Sequence, residues 1–318
     1  MRVFITGATG FAGSHLLDKL IANDNEIFAL VHPDTSLHGL PDSPQVQAVY
    51  GDLLDVDGLK TAVSEAKPDV IYHLAGQASP VRSWQIPGST LAVNSVGTAN
   101  VLDAAVAYGR PRVLVVTSAD IYGQIALEDL PITEATVPNP RHPYGLSKWT
   151  AGQLVPLYWQ RYQLPVIEAR PFNHIGAGQA LGFVVPDFAK QLAEIKLELR
   201  PNVMRVGNLE AQRDFTDVRD VVNAYMKLVD RGKPGEAYII CSAQQVSIQS
   251  ILETLIELAA VVVKIEQDPE RMRPSDTPCL YGSHAKIIQD TGWQPEITFR
   301  DSLQDALADW IERLATVE

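Results

Sequence analysis

The chain has 318 residues, 46% of them apolar and 20% charged, which fits a soluble globular enzyme of one large α/β domain or two lobes. Its 38 acidic against 26 basic residues leave a net charge of −12, an argument against nucleic acid or an anionic membrane as partner. Cys241 and Cys279 show no pairing or metal-ligand spacing, no apolar run reaches a membrane-spanning length, and the first residues read as a strand rather than a signal peptide. A cytoplasmic protein without a metal is therefore expected.

The first twenty residues, MRVFITGATGFAGSHLLDKL, organise the rest. Residues 2–6 form an apolar strand, Gly7, Gly10 and Gly13 follow at intervals of three, and Leu16, Leu17 and Leu20 then recur at helical spacing. A strand, a glycine turn and a helix together make a phosphate-binding device, because glycines admit a pyrophosphate close to the backbone and the helix N-terminus offers N–H groups to it. The glycines alone would also serve ordinary helix–strand packing. The strand before them and the helix after them favour dinucleotide binding.

Residues 26–31 read as a second buried strand, ending in His32-Pro33-Asp34. No carboxylate stands at the strand tip itself to take the adenosine ribose and no arginine is close, so NADP(H) is favoured with NAD(H) possible, and His32 is the nearby candidate cation. A third strand covers 45–50, and Asp52 after it either accepts from the adenine amino group or caps the helix over 55–66. Residues 68–76 are continuously apolar, as a parallel strand covered on both faces should be. A helix over 88–108, a strand over 112–118, a loop with Pro131, Pro138, Pro140 and Pro143, a helix from Tyr144 and a strand over 164–169 follow. This alternation predicts a doubly wound parallel sheet of Rossmann type, whose ligands lie beyond the carboxyl ends of the strands. Gly7 to Gly13, Leu74-Ala75-Gly76 and Thr117-Ser118 then share one edge.

From Arg170 the pattern changes to a polar, turn-rich segment, then helices over 185–199 and 217–229. The fold expected is α/β, with residues 1–170 as the dinucleotide-binding domain, to which later segments return, and 171–318 mainly as a smaller substrate-binding lobe. Arg213, Arg271 and Arg273 recur in turns of an acidic chain beside Asn173 and Gly207, which suggests a second diphosphate site.

Ser118, Tyr144 and Lys148 carry the expected chemistry. Tyr144 and Lys148 stand at i and i+4 and share a helix face. An ammonium near a phenol whose ordinary pKa is about 10 favours phenolate, and a serine hydroxyl can hold the substrate oxygen.

With these pieces in place the chain resembles the extended short-chain dehydrogenase/reductases that act on nucleotide sugars, from end to end. The matching segments are TGATGFAG at 6–13, HLAG at 73–76, Asn94, TSADIYG at 117–123 and YGLSK at 144–148. RPFNHIGAGQ at 170–179, GFVVPDFAKQ at 182–191, VGNLEAQRDFTDVRD at 206–220 and RPSD at 273–276 are most similar to the GDP-4-keto-6-deoxy-D-mannose reductases. GNLEAQRDF is shared with GDP-mannose 4,6-dehydratases, which suggests a guanine nucleotide. The resemblance implies that Tyr144 donates the proton and that Lys148 also holds the nicotinamide ribose. It places Gly7, Gly10, Phe11, Gly13, His32, Asp52, Leu53, Leu74, Ala75, Gly76, Thr117 and Pro171 at the cofactor. It places Asp120, Asn173, Val184, Lys190, Arg213 and Arg273 at the GDP-sugar, with both arginines at its diphosphate. A homodimer built on the helices over 88–108 and 144–162 is implied as well, with Val93, Val96, Val101, Leu102, Leu154, Leu157 and Trp159 as supporting apolar positions.

Two departures bear on the reaction. Ala119 stands where dTDP-sugar dehydratases carry Asp, and Asp120 where GDP-mannose dehydratases carry Glu. Dehydration needs an acid and a base to expel a hydroxyl and remove a C5 proton, whereas ketone reduction needs hydride and one proton. NAD(P)H-dependent reduction of the C4 ketone to a GDP-6-deoxyhexose, GDP-D-rhamnose or its C4 epimer, is the expectation. A dehydratase or epimerase is the alternative, and a non-catalytic cofactor-binding protein would be expected to have lost Tyr144 or Lys148.

Overall fold

A computed structural model describes residues 1–34, 39–272 and 278–316. The first half runs β1 (Arg2–Thr6), α1 (Phe11–Ala22), β2 (Glu26–Val31), β3 (Val46–Tyr50), α2 (Val56–Ala66), β4 (Val70–His73), α3 (Pro80–Gln85), α4 (Pro87–Leu91), a π-helical turn (Ala92–Val96), α5 (Gly97–Tyr108) and β5 (Arg112–Val116). Then come α6 (Pro143–Tyr162), β6 (Val166–Pro171), β7 (Asn173–Ile175), α7 (Val184–Lys196), β8 (Val203–Val206), β9 (Gln212–Arg213), β10 (Phe215–Asp217) and α8 (Val218–Arg231). The chain closes with β11 (Ala237–Ile240), β12 (Val246–Ser247), α9 (Ile248–Ala259), β13 (Lys264–Gln267), β14 (Cys279–Leu280), α10 (Ala285–Thr291) and α11 (Phe299–Ala315).

Seven parallel strands pair in the order β11-β6-β5-β4-β1-β2-β3. This is the Rossmann-type doubly wound sheet expected. Side chains alternate across it with the period of two that a pleated strand imposes. Val3, Ile5, Tyr72 and Leu114 join a core with Leu16 and Leu20 of α1 and Val221 and Tyr225 of α8. Phe4, Ile71, Val113 and Val115 face the other way, onto Leu59, Val63, Leu102, Ala105 and Val155 of α2, α5 and α6. A separate core lies between α7, α9 and α11, where Phe188, Leu192, Leu252, Leu255, Leu303 and Leu307 meet. Among the described residues no helix is long and apolar enough to cross a membrane.

Three expectations change. The helix over 88–108 is interrupted: Ala92–Val96 forms a π turn, a one-residue excess that places Asn94 and Ser95 inward. The segment after Arg170 is less irregular than its polarity suggests. Arg170 and Pro171 still belong to β6, and Asn173–Ile175 pairs in parallel with Phe215–Asp217, a partner 42 residues away that local reading cannot see. Val101 and Leu102 are fully buried in the core beneath the sheet, so they cannot support a helix–helix interface between subunits.

A buried charge pair ties the sheet to α6. Glu168 on β6 is 2% exposed and Arg170 8% exposed, and they join at 2.8 Å. Charges so deep need several partners to offset lost hydration. The Thr117 hydroxyl supplies one by donating to Glu168 at 2.7 Å, and Arg170 donates to the Tyr122 hydroxyl at 2.9 Å. Gly152 of α6 sits directly on this pair, and a Cβ there would run into Glu168 Oε1, with the carboxyl carbon at 2.8 Å. Alanine normally gains about 1 kcal/mol over glycine inside a helix. Here overpacking, which costs about 1–3 kcal/mol, wins because Glu168 is held from two sides and cannot retreat. Gly152→Ala should lower the urea midpoint of unfolding, and a rise in that midpoint would show that the contact is soft.

Candidate active site

The glycine turn is built as a cradle. Gly7 has φ 78°, and a Cβ on it would lie 2.6 Å from the Ala75 nitrogen at the end of β4. A Cβ on Gly13 would strike the Gly7 carbonyl, so α1 can lie this close to β1 only without a side chain there. Gly10 caps α1 in an extended conformation with no side-chain hydrogen bond, and the first turn carries no acidic residue. An anion can therefore approach that helix end without meeting a competing carboxylate. The cradle suits a dinucleotide pyrophosphate.

Behind it runs a buried polar chain. Thr6 Oγ1 accepts the Ala75 N–H at 3.2 Å and meets His73 Nδ1 at 2.7 Å; His73 Nε2 meets Thr98 Oγ1 at 3.0 Å, which donates to the Asn94 carbonyl at 2.6 Å. Because the Thr98 proton goes to Asn94, its oxygen must accept from His73, which assigns the Nε2–H tautomer. Burial, and then the nearby Lys148, push the His73 pKa down to about 3, so the ring stays neutral. It fixes the floor of the cradle.

At the tip of β2, His32 lies between two carboxylates, 3.9 Å from Asp34 and 3.8 Å from Asp52. Reading the strand alone misses this, since Asp52 arrives from the end of β3. Asp52 does not cap α2: Asp55 does, accepting the Gly58 N–H at 3.0 Å, and Asp52 accepts the Leu54 N–H at 2.9 Å. Leu53 is buried against Gly97. Phe11, at the start of α1, stacks at 5.7 Å on His174, joining the cradle to the segment that carries Asn173. Leu74, Ala75 and Gly76 follow β4 at the same edge, and Pro171 ends β6 buried beside Ile240.

Ser118, Tyr144 and Lys148 come together at the carboxyl ends of β5 and β6. The Ser118 hydroxyl hydrogen-bonds Tyr144 and accepts the Asp120 N–H at 3.1 Å. Burial, then the Asp120 carboxylate, drive the Tyr144 pKa upward, only partly opposed by Ser118. The expected lowering by Lys148 is not found. Lys148 Nζ donates to the Val116 carbonyl at 2.9 Å, and burial pushes its own pKa down to about 8. Tyr144 is thus held as neutral phenol, the form that gives a proton. The Thr117 hydroxyl is committed to Glu168 and the Ala169 carbonyl, and its backbone N–H donates to Ala169 as well, so the buried Thr117 serves the sheet end rather than offering a free donor.

Asn94, which the sequence marks only as a point of family resemblance, and His142, which it does not mark at all, both support the site. Asn94 ties Gln77 to α6, accepting its N–H at 2.8 Å, donating to its carbonyl at 2.9 Å and donating to Ser147 Oγ at 2.9 Å. His142 caps α6 beside Tyr144; a histidine cap gives no pattern signal.

The residues expected at the GDP-sugar are more scattered. Asn173 is exposed, its amide 3.3 Å from the Asp214 carbonyl. Val184 opens α7, and Lys190 pairs with Glu194 at 3.0 Å. Arg213 and Asp120 lie close enough to act on each other's ionisation, so Arg213 reaches toward the Tyr144 end. Burial raises the Asp120 pKa, opposed by His142 and Arg213. Arg271 is paired with Asp268 at 3.5 Å and Asp187 at 3.8 Å, and Arg273 lies outside the described residues. No cluster of metal-ligating side chains occurs among the described residues.

A family model described as GDP-mannose 4,6 dehydratase matches residues 4–306. GDP-6-deoxy-D-mannose reductase of Pseudomonas aeruginosa is 40% identical over 314 residues, covering 98% of either chain. The GDP-mannose 4,6-dehydratase of Vibrio cholerae is 27% identical over 344 residues, covering 94% of this chain and 91% of its own. Among solved structures, that of RMD from Pseudomonas aeruginosa complexed with NADPH superposes with a TM-score of 0.86 at 38% identity over 98% of each chain. On the family match and on the 40% identity across its length, this chain belongs to the GDP-mannose 4,6-dehydratase family.

Proposed function

We propose that the protein is an NADPH-dependent reductase of the C4 ketone of GDP-4-keto-6-deoxy-D-mannose, giving a GDP-6-deoxyhexose. The observation that carries this reading is Tyr144: a buried phenol kept protonated, hydrogen-bonded to Ser118, beside the glycine cradle. The cradle fits a dinucleotide because Gly7 and Gly13 leave room that any Cβ would fill. Bound there, the nicotinamide supplies hydride to C4. The oxygen at C4 then gains a pair of electrons and becomes alkoxide, a stronger base than phenolate, so Tyr144 gives up its O–H proton although burial disfavours the phenolate. Ser118 orients that oxygen through the same hydroxyl that holds Tyr144. Lys148, with a pKa near 8, carries charge at neutral pH and is placed to hold a ribose hydroxyl.

The C-terminal elements, with Asn173, Val184, Lys190, Arg213 and Arg273, are read as the lobe that holds the GDP-sugar, and residues 1–170 as the body of the cofactor domain. A homodimer in the cytoplasm completes the proposal. Its support is an exposed apolar face: Val96 is 53% and Leu157 58% exposed, and Leu146 lies eleven residues, about three turns, from Leu157 on the same side of α6. A dehydratase is the second reading, favoured by Asp120, whose raised pKa beside His142 would suit a base for C5.

Tyr144→Phe should lower turnover of the keto-sugar by about 10²–10⁴-fold and leave cofactor affinity nearly unchanged, since only the transferable proton is lost. Turnover within a few-fold of the parent removes Tyr144 from this role. In a second test, the parent should oxidise one NADPH per keto-sugar consumed and leave GDP-mannose untouched, and Asp120→Asn should retain substantial reduction. Conversion of GDP-mannose with no net change in nicotinamide absorbance, abolished by Asp120→Asn, establishes the dehydratase instead. Light scattering at micromolar concentration should give twice the 34.8 kDa chain mass, and a monomer mass rejects the dimer.

A further inference from the structure

His142 makes three contacts with one ring. Its Nδ1 accepts the Gly145 N–H at 3.0 Å and so caps α6, with extended backbone at φ −150° and ψ 161°. Its face stacks on the Tyr144 ring, centroids 5.9 Å apart and planes 11° apart. Its Nε2 lies 3.9 Å from Asp120 Oδ2. The first turn of α6 is moulded to this arrangement: a Cβ on Gly145 would lie 2.6 Å from the Asp120 carbonyl and 3.3 Å from His142 Cε1. Serine, asparagine or aspartate would cap the helix equally well, so capping alone gives no reason for an imidazole. What the imidazole adds is a flat surface against the phenol and a second ring nitrogen 3.9 Å from a carboxylate. Since Nδ1 is the acceptor in the cap, the neutral ring carries its proton on Nε2, on the Asp120 side.

We infer that His142 is a positioning residue for the proton-donating phenol: it fixes the plane of Tyr144 and sets its Nε2 edge beside the Asp120 carboxyl. The inference rests on the reductase reading for its kinetic consequence, not for its geometry. The role is support rather than proton transfer, because Nδ1 is engaged as the cap acceptor and Nε2 faces Asp120 rather than the Tyr144 hydroxyl's partner Ser118. Among the described residues, the charged and titratable groups that face Asp120 are His142 at the N-cap of α6, Arg213 from β9 and Tyr144, hydrogen-bonded to Ser118. Without the imidazole, Arg213 is the opposing group left among the described residues, so the carboxyl takes up its proton at a higher pH.

The test compares His142→Asn, which preserves the cap, with His142→Ala, which removes it. Both should lower kcat for NADPH-dependent reduction of the keto-sugar, by about tenfold, as expected when a catalytic group is slightly misplaced. The KM for NADPH should not move. On the acid side, a partial fall in kcat should set in at higher pH in both variants, partial because reduction survives neutralisation of Asp120. Thermal stability should fall in His142→Ala and recover in His142→Asn, while kcat does not recover. In an Asp120→Asn background the pH shift caused by His142→Asn should vanish. Restoration of kcat and of the pH profile by asparagine would show that His142 is only a cap and overturn the inference. His142→Ser gives a second cap-preserving variant if asparagine does not fold.

A readout independent of turnover comes from long-range ¹H–¹⁵N correlation on protein labelled at its seven histidines, with His142 assigned by its loss in His142→Asn. The Nε2–H tautomer is expected in the resting protein, and an Nδ1–H tautomer overturns the geometry. If the parent fails to reduce the keto-sugar, the functional reading falls, and the tautomer still decides the placement of His142.

Discussion

The absence of a side chain at Gly13 is the constraint on which the rest of the molecule depends. The Gly7 carbonyl occupies the place its Cβ would need, and Gly7 in turn abuts the Ala75 amide. Three elements, β1, α1 and the end of β4, therefore meet at a single point through backbone alone. Neighbouring strands of the sheet deliver their carboxyl ends to that point in register, with Thr6 opposite Leu30 on one side and His73 on the other. Thr6 and His73 then close the floor with a buried hydrogen-bond chain that reaches Asn94. A larger residue at Gly13 would separate α1 from β1 and disturb every group that uses this floor, including Lys148, whose nitrogen lies 3.3 Å from where a Gly76 Cβ would stand.

Much of this was legible from residue order. The parallel strands showed themselves as short apolar runs because both their faces are covered, and β2 begins and ends where the pattern says. Tyr144 and Lys148 could be paired from helix geometry alone. The limits have physical causes too. The π turn at Ala92–Val96 leaves the helical composition unchanged, so periodicity has nothing to report. The β7–β10 pairing joins three-residue segments far apart in the chain, each too short to show a period. At Tyr144 sequence gives the neighbours but not the burial, and desolvation outweighs the lysine.

Burial also shapes the chemistry. Tyr144 and Lys148 have both been pushed toward their neutral forms, the phenol upward and the amine downward. At neutral pH the phenol stays uncharged while Lys148, with a pKa near 8, remains an ammonium, so the pair holds one positive charge and one proton to give. Asp120 is the exception, a carboxyl that burial also favours as neutral but which His142 and Arg213 hold toward ionisation. A site of this kind has one reliable proton at the phenol and one adjustable charge beside it.

The π turn has a consequence for how this gene can change. One surplus residue is held inside a helix, where Asn94 reaches both Gln77 and Ser147 only because the register slips there. Loss of a single codon beside Asn94 in this segment would let it close into regular α-helix, with the surplus residue gone. Asn94 would then rotate by about 100° and leave its partners. Length variation at this place therefore sets helical regularity against the site, and the regular product would be the one that has lost its alignment.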